Sequence, residues 1–388
     1  MSTIKVQNIQ HTGSSTNAIA LASDGTCTAN LTNRTNKNLV VNGACLVAQR
    51  GTSETGSAAN GYSTVDRFQL QQNGTDAYPE TAQGTVASGT TPYTNGFRKT
   101  FKVTNGNQSS AGAADELAIR YSIEAQDVAT SGWNYISSSS NVTLSFWVKS
   151  SVAQNFYGYL LTLDGTMQRY AFETGALSAD TWTKVTKTIP GNSNITIDNN
   201  NGEGFRIEWR LFSGTDFTDS GVSLNTWAAF AGGTRTPDST STWYTTDDAT
   251  FEITGVQLEV SDHATVFEHL SYGDTLARCQ RYFLRLGYGY SSTYVAMGIR
   301  AGSTTTRAYI TFPTTMRAAP TFTEVGNLTV GDEMSGDANI TAIISNQSNP
   351  NGGRVQFTHA SHGSGSAGQV QLIIADGSSD ALDCSAEL

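Results

Sequence analysis

The sequence holds 33 acidic residues among 388, so carboxylate pairs are easy to find. Cleaving a glycosidic bond needs two carboxylates at a set separation, one as acid and one as base or nucleophile. Asp115-Glu116 and Asp247-Asp248 are pairs adjacent in sequence. Neither suits the task, because neighbouring side chains on a strand face opposite sides. Pairs formed across strands are not legible in a sequence. A Ser-His-Asp site has no G-x-S-x-G elbow to support it. His359 and His362 stand three apart beside Gly363, one ligand short of a metal site, and read as exposed loop histidines. Cys27, Cys45, Cys279 and Cys384 are scattered and form no C-x-x-C. They read as reduced, mostly buried thiols rather than a disulfide framework or a zinc site. No catalytic residue is assigned and no enzyme is expected.

Sugar recognition asks for different residues: aromatic faces that stack on pyranose rings, with amides and carboxylates for the hydroxyls. Trp147 shares a strand face with Ser145 and Lys149, and Trp182 with Lys184, Thr186 and Thr188. Both are expected outside the core, against a sugar or against a neighbouring subunit or loop. Trp209 aligns with Phe205, Ile207 and Leu211 and is expected in the core. Tyr288, Tyr290 and Tyr294 cluster among Gly and Ser, a composition suited to recognition without preformed charge. Ordinary strand packing is the alternative for all three.

The elements that must carry these side chains are strands. Val142, Leu144, Phe146 and Val148 alternate with Thr143, Ser145, Trp147 and Lys149, and Phe205 to Leu211 alternates with Arg206, Glu208 and Arg210. A period of two puts one set on a core face and the other opposite. Phe251 and Ile253 are followed by Val256, Leu258 and Val260, so the phase slips at Gly255, as at a bulge. Asn73-Gly, Asn105-Gly, Asp164-Gly, Pro190-Gly and Asn201-Gly mark turns. All six Trp lie between Trp133 and Trp243. The fold class is all-β. An extended N-terminal arm, 1–38, has too little apolar area for a core of its own. It is followed by a jelly-roll β-sandwich over 39–262 and a short helical connector over 263–286. A second, smaller β-sandwich occupies 287–388. In the connector Asp274 can cap a helix after Gly273, with Leu276, Cys279 and Phe283 on one face. In the last region Ala308, Ile310 and Phe312 alternate, as do Val370, Leu372 and Ile374.

Charged residues make up only 14% and the net charge is −10. No run of bases could track phosphates, so no nucleic-acid partner is expected. No apolar stretch approaches the roughly 20 residues of a spanning helix, and no membrane insertion is expected. The first thirty residues are polar, with one Lys and no apolar run, so no secretory leader is expected.

Gly255 to Phe283, GVQLEVSDHATVFEHLSYGDTLARCQRYF, resembles a junction of phage tail-fibre-like and virion structural proteins. There a last jelly-roll strand VQLE-x-G runs into A-T-x-F-E-x-R-S-Y and L-x-x-C-Q-R-Y. Ser261-Asp262, Val266 and Leu270 depart from the Gly, Pro and Arg usual in that pattern. NGACLVAQRG from Asn42, YSTVDRF from Tyr62 and FPTTMRAAPT from Phe312 are similar to further segments of the same proteins. Together these cover most of 42–388. The resemblance implies a jelly roll like a carbohydrate-binding module and a homotrimer. It also implies a place on the virion after synthesis in the host cytoplasm. His263 and His269 fall within the junction and are expected to pack or hydrogen-bond there. Such jelly rolls often hold a structural calcium between their first and last strands. Asp66, Asp247 and Asp248 are the candidate ligands, with turn capping or solvation as the alternative.

The reading is a phage tail-fibre or spike subunit. Its arm attaches to other virion tail or head proteins, and its β domains bind a host surface glycan or receptor. A purely structural virion protein, such as a head decoration or tail-hub component, is the alternative, and a polysaccharide depolymerase the third.

Overall fold

A computed structural model describes residues 6–10, 12–13, 19–21, 23, 27–29, 36–56, 60–332, 336–361 and 365–388. Among them the chain is all-β, with three short helices. Its largest part is a two-layer sandwich. One layer has six strands in the order Thr183–Pro190, Asn141–Ser150, Thr250–Val260, Lys99–Thr104, Glu80–Thr85, Ser53–Glu54. The other has seven, in the order Trp227–Ala229, Gln168–Ala176, Asn155–Thr162, Glu203–Ser213, Glu116–Glu124, Phe68–Asn73, Gly61–Tyr62. The chain passes repeatedly from one layer to the other, which is the jelly-roll way of burying two inner faces.

The alternation sets the facing. Val142, Leu144, Phe146 and Val148 are buried in the core, as are Phe205, Ile207, Trp209 and Leu211 from the opposite layer. Phe146 meets the Trp209 indole edge-on, with ring centroids 5.6 Å apart. Ser145 pairs with Gln257 but Trp147 with Thr254, so the last strand carries one extra residue at Gly255. Gly255 has φ +62°, and a Cβ there would come within 2.6 Å of the Phe97 ring. The bulge therefore needs glycine both for its backbone and for its neighbour.

Residues 261–271 lie across the outer face of the six-stranded layer. Thr265 donates its N–H and hydroxyl to Glu259 (2.8 and 2.6 Å), and the Glu268 N–H donates to Gln257 (2.8 Å). The buried Gln257 and Glu259 are thus satisfied by the segment that follows them. His269 bonds the Asn95 carbonyl at 2.9 Å, while His263 is exposed beside Asp262. The helix that follows spans Tyr272–Gln280. Its N-cap is Ser271 and not Asp274: the Ser271 hydroxyl accepts from the Asp274 N–H (3.1 Å) and donates to the Asp274 carboxylate (2.7 Å). The serine hydroxyl thus satisfies one of the helix's unpaired N-terminal N–H groups, and the Asp274 carboxylate holds that hydroxyl in place. Cys279 is buried on this helix, but Phe283 begins a strand, Phe283–Leu286.

The C-terminal region is a closed barrel rather than a second sandwich. Its strands run in the order Thr293–Gly302, Thr305–Thr311, Gly352–His359, Gly336–Asn349, Leu328–Asp332, Val370–Ala375. A side sheet of Phe283–Leu286, Ala381–Ser385 and Thr321–Val325 packs beside it. The pairing register shifts at Tyr294/Ala296, Arg300/Gly302, Ile340/Ala342 and Ile344/Gln347. Such irregularities bend strands and let a small sheet close, and side-chain alternation does not encode them. Ala308 and Ile310 point inward. Val370, Leu372 and Ile374 form the outer face of their strand, because Gln371, Ile373 and Ala375 are the buried set. His359 is a buried member of the barrel, not an exposed loop residue; its ring bonds the Thr306 hydroxyl at 3.0 Å and the Ala360 carbonyl at 2.9 Å. His362 lies outside the described residues.

Polar clamps join barrel and sandwich. Arg281 grips the Glu124 carboxylate with two 2.7 Å hydrogen bonds. Arg317 donates to the carbonyls of Asn201, Ala386 and Glu387, and Glu387 pairs with Arg50 and Arg67. Within 1–38, Asn8–Ile9, Ile19–Leu21 and Cys27–Ala29 pair into a small antiparallel sheet. Val6, Ile9 and Leu21 remain exposed there.

Candidate carbohydrate-binding surface

The outer face of the six-stranded layer is built in cross-strand rows. Trp147 stands opposite Lys184 on one side and Thr254 on the other, and Lys149 stands opposite Glu252. Trp182 flanks Lys149, whose ammonium lies 5.2 Å from the indole centroid. The same ammonium pairs with Glu252 at 2.8 Å, and the second Glu252 oxygen accepts from the Thr100 hydroxyl at 3.0 Å. A cation held between a carboxylate and an indole fixes both side chains. Trp147 and Trp182 are each half-buried.

Beside Trp147 is a cleft of about 220 Å³, lined among others by Asn95, Ser145, Lys184, Thr265 and His269. It is smaller than the roughly 300–1,000 Å³ of a drug-sized pocket, so it suits a single ring at the end or side of a larger molecule. Its wall is an indole face, and an amide and an ammonium flank it. Phe97 and Phe267 stack edge-on behind, at 4.9 Å. The sequence located both tryptophans on this face. It did not reveal the cleft, because Asn95 and residues 264–269 reach it from distant loops.

The three tyrosines do not form one platform. Tyr288 lies by Arg285, whose guanidinium is 5.2 Å from its ring. Tyr290 is at the tip of the turn before the barrel and is 73% exposed. Tyr294 starts a barrel strand opposite Ile374. Among the described residues no ring contact joins them.

The acids expected to bind calcium do not converge. Both Asp66 oxygens accept from Gln49, one from its backbone N–H at 2.9 Å and one from its amide. Burial pushes the Asp66 carboxyl up to about 6 against those bonds. Asp247 and Asp248 are exposed. Among the described residues there is no group of three His, Cys, Asp or Glu that could hold a metal ion.

Several carboxylates of the sandwich are engaged by neighbours. On the outer face of the seven-stranded layer, Glu208 accepts from Arg120 (2.9 Å), Arg210 (3.0 Å) and the Tyr159 hydroxyl (2.6 Å). Burial alone would raise its pKa, but the arginines hold it at about 2. Glu116 meets Arg210 at 2.5 Å and Arg235 at 2.7 Å. Asp115 closes a turn by accepting from the Gly112 N–H. A carboxylate held at about 2 is no proton donor near neutral pH. Cys45, Cys279 and Cys384 are buried free thiols, and burial pushes all three up, Cys384 to about 12.

No protein-family model matches the sequence, and comparison with curated proteins gives no match. Among solved structures, the chain is similar to the N-terminal cellulose-binding domain of Cellulomonas fimi β-1,4-glucanase C. Identity is 12%, 55% of this chain and 98% of that one are covered, and the TM-score is 0.26. It is also similar to a family 11 carbohydrate-binding module of Clostridium thermocellum in complex with a β-1,3-1,4-mixed-linked tetrasaccharide (12% identity, 55% and 100% covered, TM-score 0.24). A third is the enzymatically active domain of tailspike protein 4 of bacteriophage CBA120 (11% identity, 58% of this chain covered, TM-score 0.29). The chain spans 21% of that tailspike domain's length. Likenesses this distant say nothing about what the chain binds; that reading rests on its own side chains.

Proposed function

We propose that the chain is a phage tail-fibre or spike subunit that binds a glycan on the host bacterial surface and does not cleave it. The observation that carries the glycan part is the pair Trp147 and Trp182. Trp147 sits on a strand face pointing away from the core and lines a cleft with an amide and an ammonium, and Trp182, just before the neighbouring strand, is held by Lys149, which is itself paired with Glu252. Indole faces supply stacking area at little cost in side-chain entropy. Lys184 and Asn95 are placed to meet hydroxyls. Tyr288 and Tyr290 are the second candidate contact. The virion part rests on the junction motif from Gly255 to Phe283 and on the arm, whose short strands leave apolar side chains for a larger assembly to cover.

The test is binding of purified protein to host cells and to their isolated surface polysaccharide. Trp147→Ala and Trp182→Ala should each weaken binding about tenfold or more, the loss of one well-buried aromatic anchor. Circular dichroism should be unchanged for Trp182→Ala. The polysaccharide should keep its length, with no new reducing ends. Variants that bind as well as the parent would remove this face from the function, and release of reducing ends would make the chain a depolymerase.

A further inference from the structure

The outer face of the C-terminal barrel is apolar where a solvated barrel would be polar. Cross-strand pairing sets Val370 opposite Ile299 and Leu372 opposite Met297, and Ile299 lies opposite Arg307 on its other side. Tyr309 lies opposite Arg354. Tyr294, Met297, Ile299, Tyr309 and Val370 are 60%, 68%, 52%, 61% and 57% exposed. Met297, Ile299, Tyr309 and Val370 line a shallow groove of about 500 Å³ together with Gly298, Ala308 and the two arginines. With aromatic side chains at about 150–250 Å² each and the aliphatic ones somewhat smaller, these four leave on the order of 500 Å² of apolar surface in one patch. That is near the upper limit for a protein that stays alone in water, where the largest patch is typically about 300–600 Å².

We infer that this face is the contact by which copies of the chain associate. Met297, Ile299 and Val370 offer a sugar no hydrogen bond, so a protein surface fits better than a glycan. A standard interface buries roughly 800 Å² per partner, a little over half of it apolar. The patch supplies that apolar share. The groove also carries Arg307 and Arg354 and no carboxylate. Arg307 donates to Gln356 at 3.1 Å, and neither arginine has an ion pair among the described residues. A second copy of this chain, with net charge −10, is an acidic partner. Mating the face with itself would bring the arginines of two copies together. The contact is therefore heterologous, this face on one copy against a different, acid-bearing surface on the next; such contacts close as a ring where the rotation between copies closes and otherwise run on as a filament, and the fibre reading selects the ring. The number of copies, three, rests on the fibre reading above; the face does not.

Light scattering on the full chain tests this. The parent should weigh three times the 41.3 kDa chain mass. Met297→Glu with Ile299→Glu should give a single chain with the parent's circular dichroism. If the double variant fails to fold, Val370→Lys on the adjacent strand asks the same question, and dissociation by it supports the face equally. A parent of one or two chains would overturn the ring. Folded variants that keep the parent mass would overturn the face, even where trimeric assembly survives through another surface. Variants that keep the mass but lose cell binding would assign the face to the receptor instead. Glycan binding by the dissociated chain, measured separately, reports on the proposed function and leaves this inference untouched.

Discussion

The sandwich and the barrel handle the second face of a strand in opposite ways. On the seven-stranded layer the outward residues are Arg206, Glu208 and Arg210, and they are tied into a network that leaves Glu208 and Arg210 buried. On the barrel, Thr306, His359 and Gln371 turn inward, and Met297, Ile299 and Val370 turn out. Charge is buried in one region and hydrophobic surface is shown in the other. A buried ionic network adds little net stability over an apolar isostere but forbids alternatives, since any slip strands a charge. An exposed aliphatic face gives the single chain nothing and becomes favourable only when covered. The sandwich covers its second face within the chain, and the barrel leaves its own uncovered.

The largest expected effect comes from breaking the network. Glu208→Ala leaves the buried Arg210 with Glu116 alone and Arg120 without a carboxylate, and should cost roughly 3 kcal/mol. All six Trp belong to the sandwich region, so Trp fluorescence reads that region alone. Denaturant melts followed this way should shift strongly, while amide exchange in the barrel strands stays close to the parent. Acid gives the same comparison a direction. An unfolded Glu208 takes up its proton near 4.5, and the folded one only near 2. Its contribution, roughly 3 kcal/mol for such a shift, is complete above about pH 4.5 and is lost as pH falls toward 2. Glu208→Gln should flatten the fall in fluorescence-monitored stability over that window. An unchanged slope would mean that other acids set it.

A smaller effect is expected inside the barrel. The Thr306 hydroxyl bonds both His359 and Gln371. Thr306→Val keeps the shape and removes that partner from two buried polar groups, at about 1–3 kcal/mol. The loss should appear as faster amide exchange in Thr305–Thr311 and Gly352–His359, with Trp fluorescence melts unmoved. Equal loss in both regions would show that barrel and sandwich unfold together.

The sandwich was legible because its strands alternate cleanly: Phe146, Trp147 and Trp209 could each be assigned a face from their neighbours. The barrel was less so. The strand Val370–Ala375 reads VQLIIA, apolar at most positions of either phase, and only the polar end of the interior, where Gln371 meets Thr306, decides which set goes in. Closure depends on register shifts that leave no compositional mark. The recognisable motifs turned out to be structural. Asn42 bonds the Val47 and Asp66 carbonyls, Gln49 bonds Asp66 and Phe283, and Arg281 and Arg317 hold the barrel against the sandwich. They describe how the two regions are joined, so the cleft beside Trp147 and the apolar barrel face had to be found from the packing.

The smallest expected effect tests that joint. Ser271→Ala removes both bonds of the N-cap hydroxyl on the helix that leads into Arg281. Loss of a serine cap costs about 1 kcal/mol. If the helix only carries Arg281 to its place, the grip on Glu124 survives: Glu124 is buried and Arg281 also packs there, so the clamp is fixed from the sandwich side. The variant should then show faster amide exchange within Tyr272–Gln280 alone. Its melting temperature should fall by about 2–4 °C at most, the shift that 1 kcal/mol gives in a region of this size. A drop larger than that of Thr306→Val would instead mean that the helix itself holds the two regions in register, and that the arginine clamps follow from it.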